Sequence, residues 1–204
     1  MNIDEILNQL NLESEAVAFA IIGLAVAIIL ILNRKRLLTA FGEWRIQRIL
    51  NRIGSEQIRN LVCPDGLDGY YELDRLALTD DAILLITYKP YSGIIYCAER
   101  ISQWTQLVEQ KSFKFDNPLF DLDNQLTALR LLTGNVPLHG YLFFNHSAVF
   151  PKGHPGAVLH PDNIPERYLA ANCHPVNPEI KAAWETLKTL NSEASSGRQM
   201  GVKT

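Results

Sequence analysis

Two neighbouring stretches decide the fold of this chain, Tyr70–Leu78 (YYELDRLAL) and Ala82–Tyr88 (AILLITY). The second stretch is almost entirely apolar, which is typical of a central strand covered on both faces. The first stretch alternates apolar and polar residues, and Asp80-Asp81 between the two provides a turn. We therefore expect two adjacent strands near the centre of a sheet.

Helices and further strands are predicted on either side of this pair. Apolar residues at helical spacing predict a first helix, and a capping asparagine followed by proline begins each of two later helices. The order of elements predicts a compact α/β domain with a mixed β-sheet flanked by helices. The predicted helices are Phe41–Ile53, Asn117–Thr133 and Asn177–Leu190, and the other predicted strands are Ile58–Cys63, Ile94–Cys97 and Leu138–Phe144.

The composition is that of a folded protein, with 204 residues of which 47% are hydrophobic and 20% charged. These values exclude a mainly disordered chain, a collagen-like repeat and a disulfide-dense miniprotein. The net charge of −3 gives no bulk basic character that would indicate nucleic-acid binding, although it leaves a local basic groove open.

The cysteines and histidines show no metal-binding spacing. The cysteines lack a C-x-x-C pair, which favours a reducing compartment. The histidines lie mostly beside proline or glycine and lack H-x-x-x-H spacing, so we interpret them as loop residues rather than a zinc site. The cysteines are Cys63, Cys97 and Cys173, and the histidines are His139, His146, His154, His160 and His174.

Residues Ala16–Leu32 (AVAFAIIGLAVAIILIL) form an uninterrupted apolar run. As a helix this run would be about 25 Å long, at the short end of what crosses a bilayer. Acidic residues precede it and Asn33-Arg34-Lys35-Arg36 follows, so the positive-inside rule places the N-terminus outside and the main domain in the cytoplasm. We therefore predict a single-pass protein of the cell (inner) membrane. Its predicted parts are an extracytoplasmic segment (1–15), a transmembrane helix (16–32), a basic juxtamembrane linker (33–40), an α/β domain (41–190) and a disordered tail (191–204).

Charged residues on the two central strands are the candidates for chemistry. Glu72 and Asp74 are two residues apart on one strand, and Thr87 and Lys89 are two apart on the next, so each pair is expected to share a face. Carboxylates beside a lysine can hold a divalent cation and activate a water molecule. The same spacing fits a strand-end salt bridge between Asp74 and Lys89, and the residues alone leave both interpretations open.

The central stretches and their surroundings resemble the NERD (nuclease-related) domain, which is grouped with the PD-(D/E)xK nucleases. The run Leu73–Gly93 is similar to the family's core, which reads approximately I-D-H and then I-E-T-K-x-Y-x-G. Gly42-Glu43, Trp104 and Asn117-Pro118-Leu119 are similar to its G-E, tryptophan and N-P-L motifs. The resemblance covers residues 41–169 and implies a restriction-endonuclease-like fold, a mixed sheet flanked by helices.

The resemblance also implies an active site. Asp74 and Glu43 correspond to metal-binding carboxylates, and Lys89 corresponds to the active-site lysine. In such sites the carboxylates hold Mg²⁺, which polarises the scissile phosphate, while the lysine steadies the attacking water or the developing charge. These roles require Glu43, Asp74 and Lys89 to meet at one pocket that solvent can reach.

The sequence departs from the family pattern in two places, at Thr87 and on the helix after N-P-L, where Asp121 stands in place of a glutamine and Gln125 in place of a frequent histidine. Thr87 stands where the glutamate of E-x-K is expected, and a neutral hydroxyl binds Mg²⁺ more weakly than a carboxylate does. Glu72 or Asp121 could supply the missing carboxylate. Lys89 and Arg75 could in addition bind nucleic acid.

The sequence therefore leads to one expected function and one alternative. The expected function is that of a membrane-anchored, metal-dependent phosphodiesterase acting on DNA or RNA with an altered E-x-K motif. The alternative is a catalytically inactive module on the membrane that binds nucleic acid or a protein partner. The sequence does not indicate the oligomeric state.

Overall fold

The computed structural model describes residues 23–24, 28–34, 36–38, 40–66, 68–170 and 174–200, with side chains described as far as Ser192. The chain divides into two compact units, Met1–Gln47 and Arg48–Thr204.

The described residues of the first unit are helical. They include residues 28–34, 36–38 and 40–47. Helix α1 comprises residues 40–50, and its last three residues are assigned to the second unit. Among the described residues, no helix is long and apolar enough to cross a membrane. Ten of the seventeen residues of the predicted transmembrane helix, 16–22 and 25–27, lie outside the described residues. The predicted anchor, its orientation and the extracytoplasmic segment 1–15 therefore stay predictions.

Nine strands of the second unit form two mixed sheets. One sheet has the order β1-β2-β3-β7-β9 and the other has the order β6-β5-β4-β8. In the first sheet β2 runs antiparallel to both β1 and β3, whereas β7 runs parallel to both β3 and β9. In chain order the strands are β1 Glu56–Pro64, β2 Tyr70–Leu78, β3 Ile83–Lys89, β4 Gly93–Tyr96, β5 Gln103–Val108, β6 Lys111–Asp116, β7 Leu138–Phe144, β8 Ala148–Val149 and β9 Val158–Leu159.

Helix α2 (Pro118–Thr133) packs on β7 of the five-stranded sheet. It begins at Asn117, whose side chain accepts a hydrogen bond from the Leu119 amide, and it ends at Gly134, whose φ of 68° few other residues adopt. The closest approach is at Gly140, where an added Cβ would lie 2.7 Å from Leu126 of α2. The absence of a side chain at this position allows helix and sheet to pack closely.

Helix α3 (Pro178–Met200) contacts β1 and α2. Its Trp184 is fully buried, and the indole Nε1–H donates to Glu56 Oε2 at 3.0 Å. The helix continues ten residues beyond the predicted end at Leu190, because the polar stretch 191–200 contains no proline and retains helix formers. Residues 191–200 therefore differ from the predicted disordered tail, and residues 201–204 lie outside the described part.

The core of the second unit is one cluster of buried side chains between the five-stranded sheet and the two later helices, with contributions from the smaller sheet. It includes Leu76, Leu85, Leu129, Trp104 and Trp184. The predicted mixed sheet with flanking helices is confirmed. The second sheet was not predicted, because the residues of its hairpin β5–β6 are half-buried or exposed except for Trp104 and form no continuous apolar run.

Candidate functional site

The candidate site lies where β2 and β3 separate. Regular pairing between the two strands ends at Arg75 and Ile86. Beyond this point the Asp74 side chain replaces a backbone carbonyl of β2 as hydrogen-bond acceptor. Its Oδ2 accepts a hydrogen bond of 2.7 Å from the backbone N–H of Tyr88. This hydrogen bond holds the carboxylate where the two strands separate, next to Tyr88, the residue before Lys89.

The pairing of β1 with β2 is also irregular beside Asp74. On the β1 side Asn60 has a φ of 51°, in the left-handed region, between the pairs Arg59–Arg75 and Leu61–Leu73. Leu73 and Leu76 are three positions apart and would lie on opposite faces of a regular strand, yet both belong to the same buried cluster. Sequence alternation therefore does not fix which way Asp74 points. The hydrogen bond from the Tyr88 amide fixes the direction of the Asp74 side chain.

Lys89 is the last residue of β3 and is half-buried beside Phe144, its partner in β7. In the part of the chain that the structure describes, no ion pair includes Lys89 or Asp74, so the salt bridge considered from the sequence is not formed. Lys89 directly follows Tyr88, whose amide anchors the Asp74 carboxylate, and among the described residues no ion pair joins the lysine ammonium to that carboxylate.

Thr87 Oγ1 on β3 and Gln125 Oε1 on α2 are buried polar atoms without hydrogen-bond partners among the described residues. Thr87 lies on β3 opposite Leu142 of β7, and Gln125 precedes Leu126, the residue of α2 that contacts Gly140 of β7. Buried polar atoms are rarely left without a partner, because desolvation costs free energy. Both atoms are therefore candidates to hydrogen-bond a water molecule or a ligand.

The other predicted carboxylates are not brought into contact with Asp74 within the second unit. Glu72 is exposed on β2, and Asp121 is exposed in the first turn of α2. No hydrogen bond or ion pair of these two side chains occurs among the described residues. Glu43 lies on α1 in the first unit and is half-buried, so its meeting with Asp74 and Lys89 stays a prediction.

Arg75 lies in the interior and not on a surface that nucleic acid could contact. It is 3% exposed, and its guanidinium donates to Asn51 Oδ1 at 2.8 Å and to Gln57 Oε1. Burial, together with the nearby Arg59 cation, lowers the pKa of Arg75 to about 10. The predicted role of Arg75 in binding nucleic acid does not fit this position, and Lys89 is left as the cation of the site.

A second group of polar side chains was not anticipated, His146, His160 and Asp162. The sequence pattern favours loop residues for the two histidines, because the histidines of the chain lack H-x-x-x-H spacing and lie mostly beside proline or glycine. Two signals in the sequence could have pointed to them. One is the H-x-D spacing at residues 160–162, and the other is that each histidine follows shortly after a strand.

Comparison with known proteins agrees with the resemblance read from the motifs. The family model of the nuclease-related domain, NERD, matches residues 38–145. An uncharacterized protein of Bacillus anthracis is 23% identical over 94 residues, which cover 45% of this chain and 44% of that protein. The chain thus matches less than half the length of this relative, and no solved structure matches significantly. On the extent of the family match, which includes α1, strands β1 to β7 and the whole of α2, the chain belongs to the NERD, or nuclease-related domain, family.

Proposed function

We propose that this domain binds nucleic acid at the opening between β2 and β3 and cleaves its phosphodiester backbone with the help of a divalent cation. The observation that carries this proposal is the position of Asp74, whose Oδ2 is bound to the Tyr88 amide beside Lys89. The fixed carboxylate and the lysine at the end of the buried strand correspond to two of the charged groups that the resemblance assigns to the active site.

The two charged side chains have different tasks in this proposal. Lys89 attracts the phosphate and orients the attacking water through its ammonium group, which can move because no described residue binds it. Asp74 uses Oδ2 to hold the backbone and presents Oδ1 to the cation. A bound divalent cation would polarise the phosphate and lower the pKa of a coordinated water.

The residues present fit such a cation only weakly. Mg²⁺ prefers oxygen ligands and commonly combines one or two carboxylates with substrate phosphates and several waters. Asp74 supplies one carboxylate, and the unpartnered Thr87 hydroxyl supplies a neutral oxygen. Among the described residues, no group of three metal-ligating side chains includes Asp74. We therefore expect the cation to bind tightly only in the presence of nucleic acid.

The test is cleavage of labelled single-stranded and double-stranded DNA and of RNA by the full chain, with Mg²⁺, Mn²⁺ or EDTA. Activity should require the cation and should fall at least about a hundredfold in Lys89→Ala and in Asp74→Asn. The matched controls are Lys114→Ala on β6 and Asp123→Asn on α2, both at exposed positions, and they should keep full activity. Cleavage that persists in Lys89→Ala and Asp74→Asn would show that the nuclease lies elsewhere.

A second function is favoured by Thr87. Without the glutamate of E-x-K the site could retain nucleic acid and no longer cleave it. In that case the full chain binds DNA or RNA with an affinity that falls as salt rises, and Lys89→Ala weakens binding. Thr87→Glu restores a second carboxylate and should then create or increase cation-dependent cleavage. If neither cleavage nor binding is found, a module for a protein partner is the interpretation that fits.

The apolar run 16–32 supports a separate proposal, that the domain is tethered to the cell (inner) membrane with its main domain in the cytoplasm. The test is fractionation of cells that express the full chain. The protein should sediment with membranes, resist extraction at alkaline pH and leave them only in detergent. Recovery in the supernatant without detergent would contradict the tether and would not affect the nuclease proposal.

A further inference from the structure

Two histidines and an aspartate meet at the edge of the five-stranded sheet. β7 ends at Phe144, two residues before His146, and β9 ends at Leu159, directly before His160. Because β7 and β9 are paired and parallel, both histidines follow the carboxyl ends of neighbouring strands. Ligands of open α/β sheets commonly bind at this edge. All three residues lie outside residues 38–145 that the family model matches.

The distances suit a metal ion. Asp162 Oδ2 lies 3.2 Å from His160 Nδ1 and 3.7 Å from His146 Nδ1. Ligand atoms bound tetrahedrally at 2.0–2.1 Å from zinc lie about 3.3 Å from one another. One ligand atom from each of the three residues lies within 4.8 Å of the others, so closure around an ion needs only a small movement of the His146 ring.

The surroundings of His160 also indicate an absent partner. Its side chain is 18% exposed, and its Nε2 is buried without a hydrogen-bond partner among the described residues. The tautomer with a proton on Nδ1 satisfies Asp162 and leaves the Nε2 lone pair buried and unpaired. The tautomer with a proton on Nε2 directs the Nδ1 lone pair at a carboxylate oxygen. A cation between Nδ1 and Oδ2 removes the repulsion in the second tautomer, and the Nε2–H then requires a water molecule, as the outer nitrogen of a metal-bound histidine commonly does.

We propose that His146, His160 and Asp162 bind a transition-metal ion of the Zn²⁺ class. Two imidazoles exclude Mg²⁺ and Ca²⁺ as the preferred ion, because these cations favour sites made of oxygen alone, whereas imidazole suits zinc and its neighbours. Three protein ligands leave one position for water, as in zinc sites that are open to solvent. The proposal does not depend on nuclease activity, because it concerns residues other than Asp74 and Lys89.

The ion would join the ends of β7 and β9 to the loop that contains Asp162. His146 and Asp162 are exposed, with 41% and 74% of their side chains accessible, so an ion can enter without rearrangement of the core. Binding to the folded state alone would raise the melting temperature of the full chain as the concentration of Zn²⁺ increases.

The test is calorimetric titration of the full, metal-free chain with Zn²⁺ and, in parallel, with Mg²⁺. We expect one Zn²⁺ per chain, no comparable binding of Mg²⁺, and a loss of affinity of at least about tenfold in Asp162→Asn and in His160→Gln. His139→Ala is the matched control, because His139 is exposed at the opposite end of β7, and it should bind as the unmodified chain does.

Absorption of the Co²⁺-substituted chain provides a second measurement. The spectrum should be that of a low-coordinate site without a sulfur-to-metal charge-transfer band, which separates this site from binding by the cysteines. Asp162→Asn changes an exposed residue, so its metal-free melting curve should match that of the unmodified chain and show that it folds. Equal Zn²⁺ affinity of Asp162→Asn, His160→Gln and the unmodified chain, or the absence of saturable binding, would overturn the proposal.

Discussion

Replacement of Thr87 by valine should stabilise the domain, which is the opposite of what loss of a buried hydroxyl normally does. Thr87 Oγ1 is buried and has no hydrogen-bond partner among the described residues, so the folded state pays for its desolvation without a compensating bond. An unsatisfied buried polar group costs about 1–3 kcal/mol, and a methyl group of nearly the same size avoids this cost. We expect Thr87→Val to be about 1 kcal/mol more stable, which raises the melting temperature by about 2–4 °C in a domain of this size.

Thr79 is the matched control, because it is also a buried threonine at the end of a central strand. Its hydroxyl lies 2.8 Å from the Ala82 carbonyl and accepts a hydrogen bond from the Ala82 amide at 3.1 Å. Thr79→Val should therefore destabilise the domain by about 1–3 kcal/mol. Urea denaturation of the two variants and the unmodified chain measures both effects.

The sign of the Thr87→Val effect also tests the candidate site. If the hydroxyl is kept for a ligand, the gain in stability should be accompanied by weaker cation-dependent binding or cleavage of nucleic acid. Destabilisation of Thr87→Val by an amount similar to Thr79→Val would refute the reasoning, since it would mean that the Thr87 hydroxyl is satisfied in the folded protein.

Three further predictions follow from other contacts. Asn117→Ala should lower the free energy of unfolding by about 2–3 kcal/mol, because Asn117 caps α2 and also donates to carbonyls of the preceding loop. Asn177→Ala removes a cap alone and should lower it by about 1 kcal/mol. Equal losses of the two variants in urea denaturation would contradict this. The hydrogen bond from Trp184 lowers the pKa of Glu56 below its ordinary value of 4.5, so its contribution to stability is present above that value and is lost as the pH falls through the lowered pKa. Between pH 7 and pH 3 the melting temperature should therefore fall more steeply for the unmodified chain than for Glu56→Gln. Burial raises the pKa of Cys97 to about 11, so only about 0.1% of this cysteine is thiolate at pH 8. Its alkylation, followed by mass spectrometry, should therefore be slow and should accelerate about tenfold per pH unit. Alkylation at the rate of an ordinary exposed thiol would contradict the burial.

The helices and central strands could be predicted because their signals are local. Asn117-Pro118 and Gly134 mark the two ends of α2, and the apolar run after Ala82 marks β3. The hairpin β5–β6 was missed although its pairing is local, because its turn Glu109-Gln110 contains no glycine, proline or asparagine and its strands form no continuous apolar run. Glu109 nevertheless has a φ of 56°.

The candidate site was predictable only in part, for a physical reason. That Asp74 reaches Tyr88, the residue before Lys89, is consistent with pairing of the two adjacent strands, which the sequence pattern indicates. The burial of Arg75 does not, because its partners Asn51 and Gln57 lie earlier in the chain and no pattern shows that they converge. The cluster around His160 likewise depends on two short strands being placed side by side, which periodicity does not reveal.

Gly140 limits how the domain can change in evolution or by design. Even a methyl group there would meet Leu126 at 2.7 Å and Leu122 at 3.0 Å and would force α2 outward. Because Gln125 is carried by the same turn of α2, such a shift would also widen the space between that amide and the sheet. A bulkier residue at position 140 would thus act on the candidate site from a distance, through the spacing of the layers rather than through any contact with a substrate.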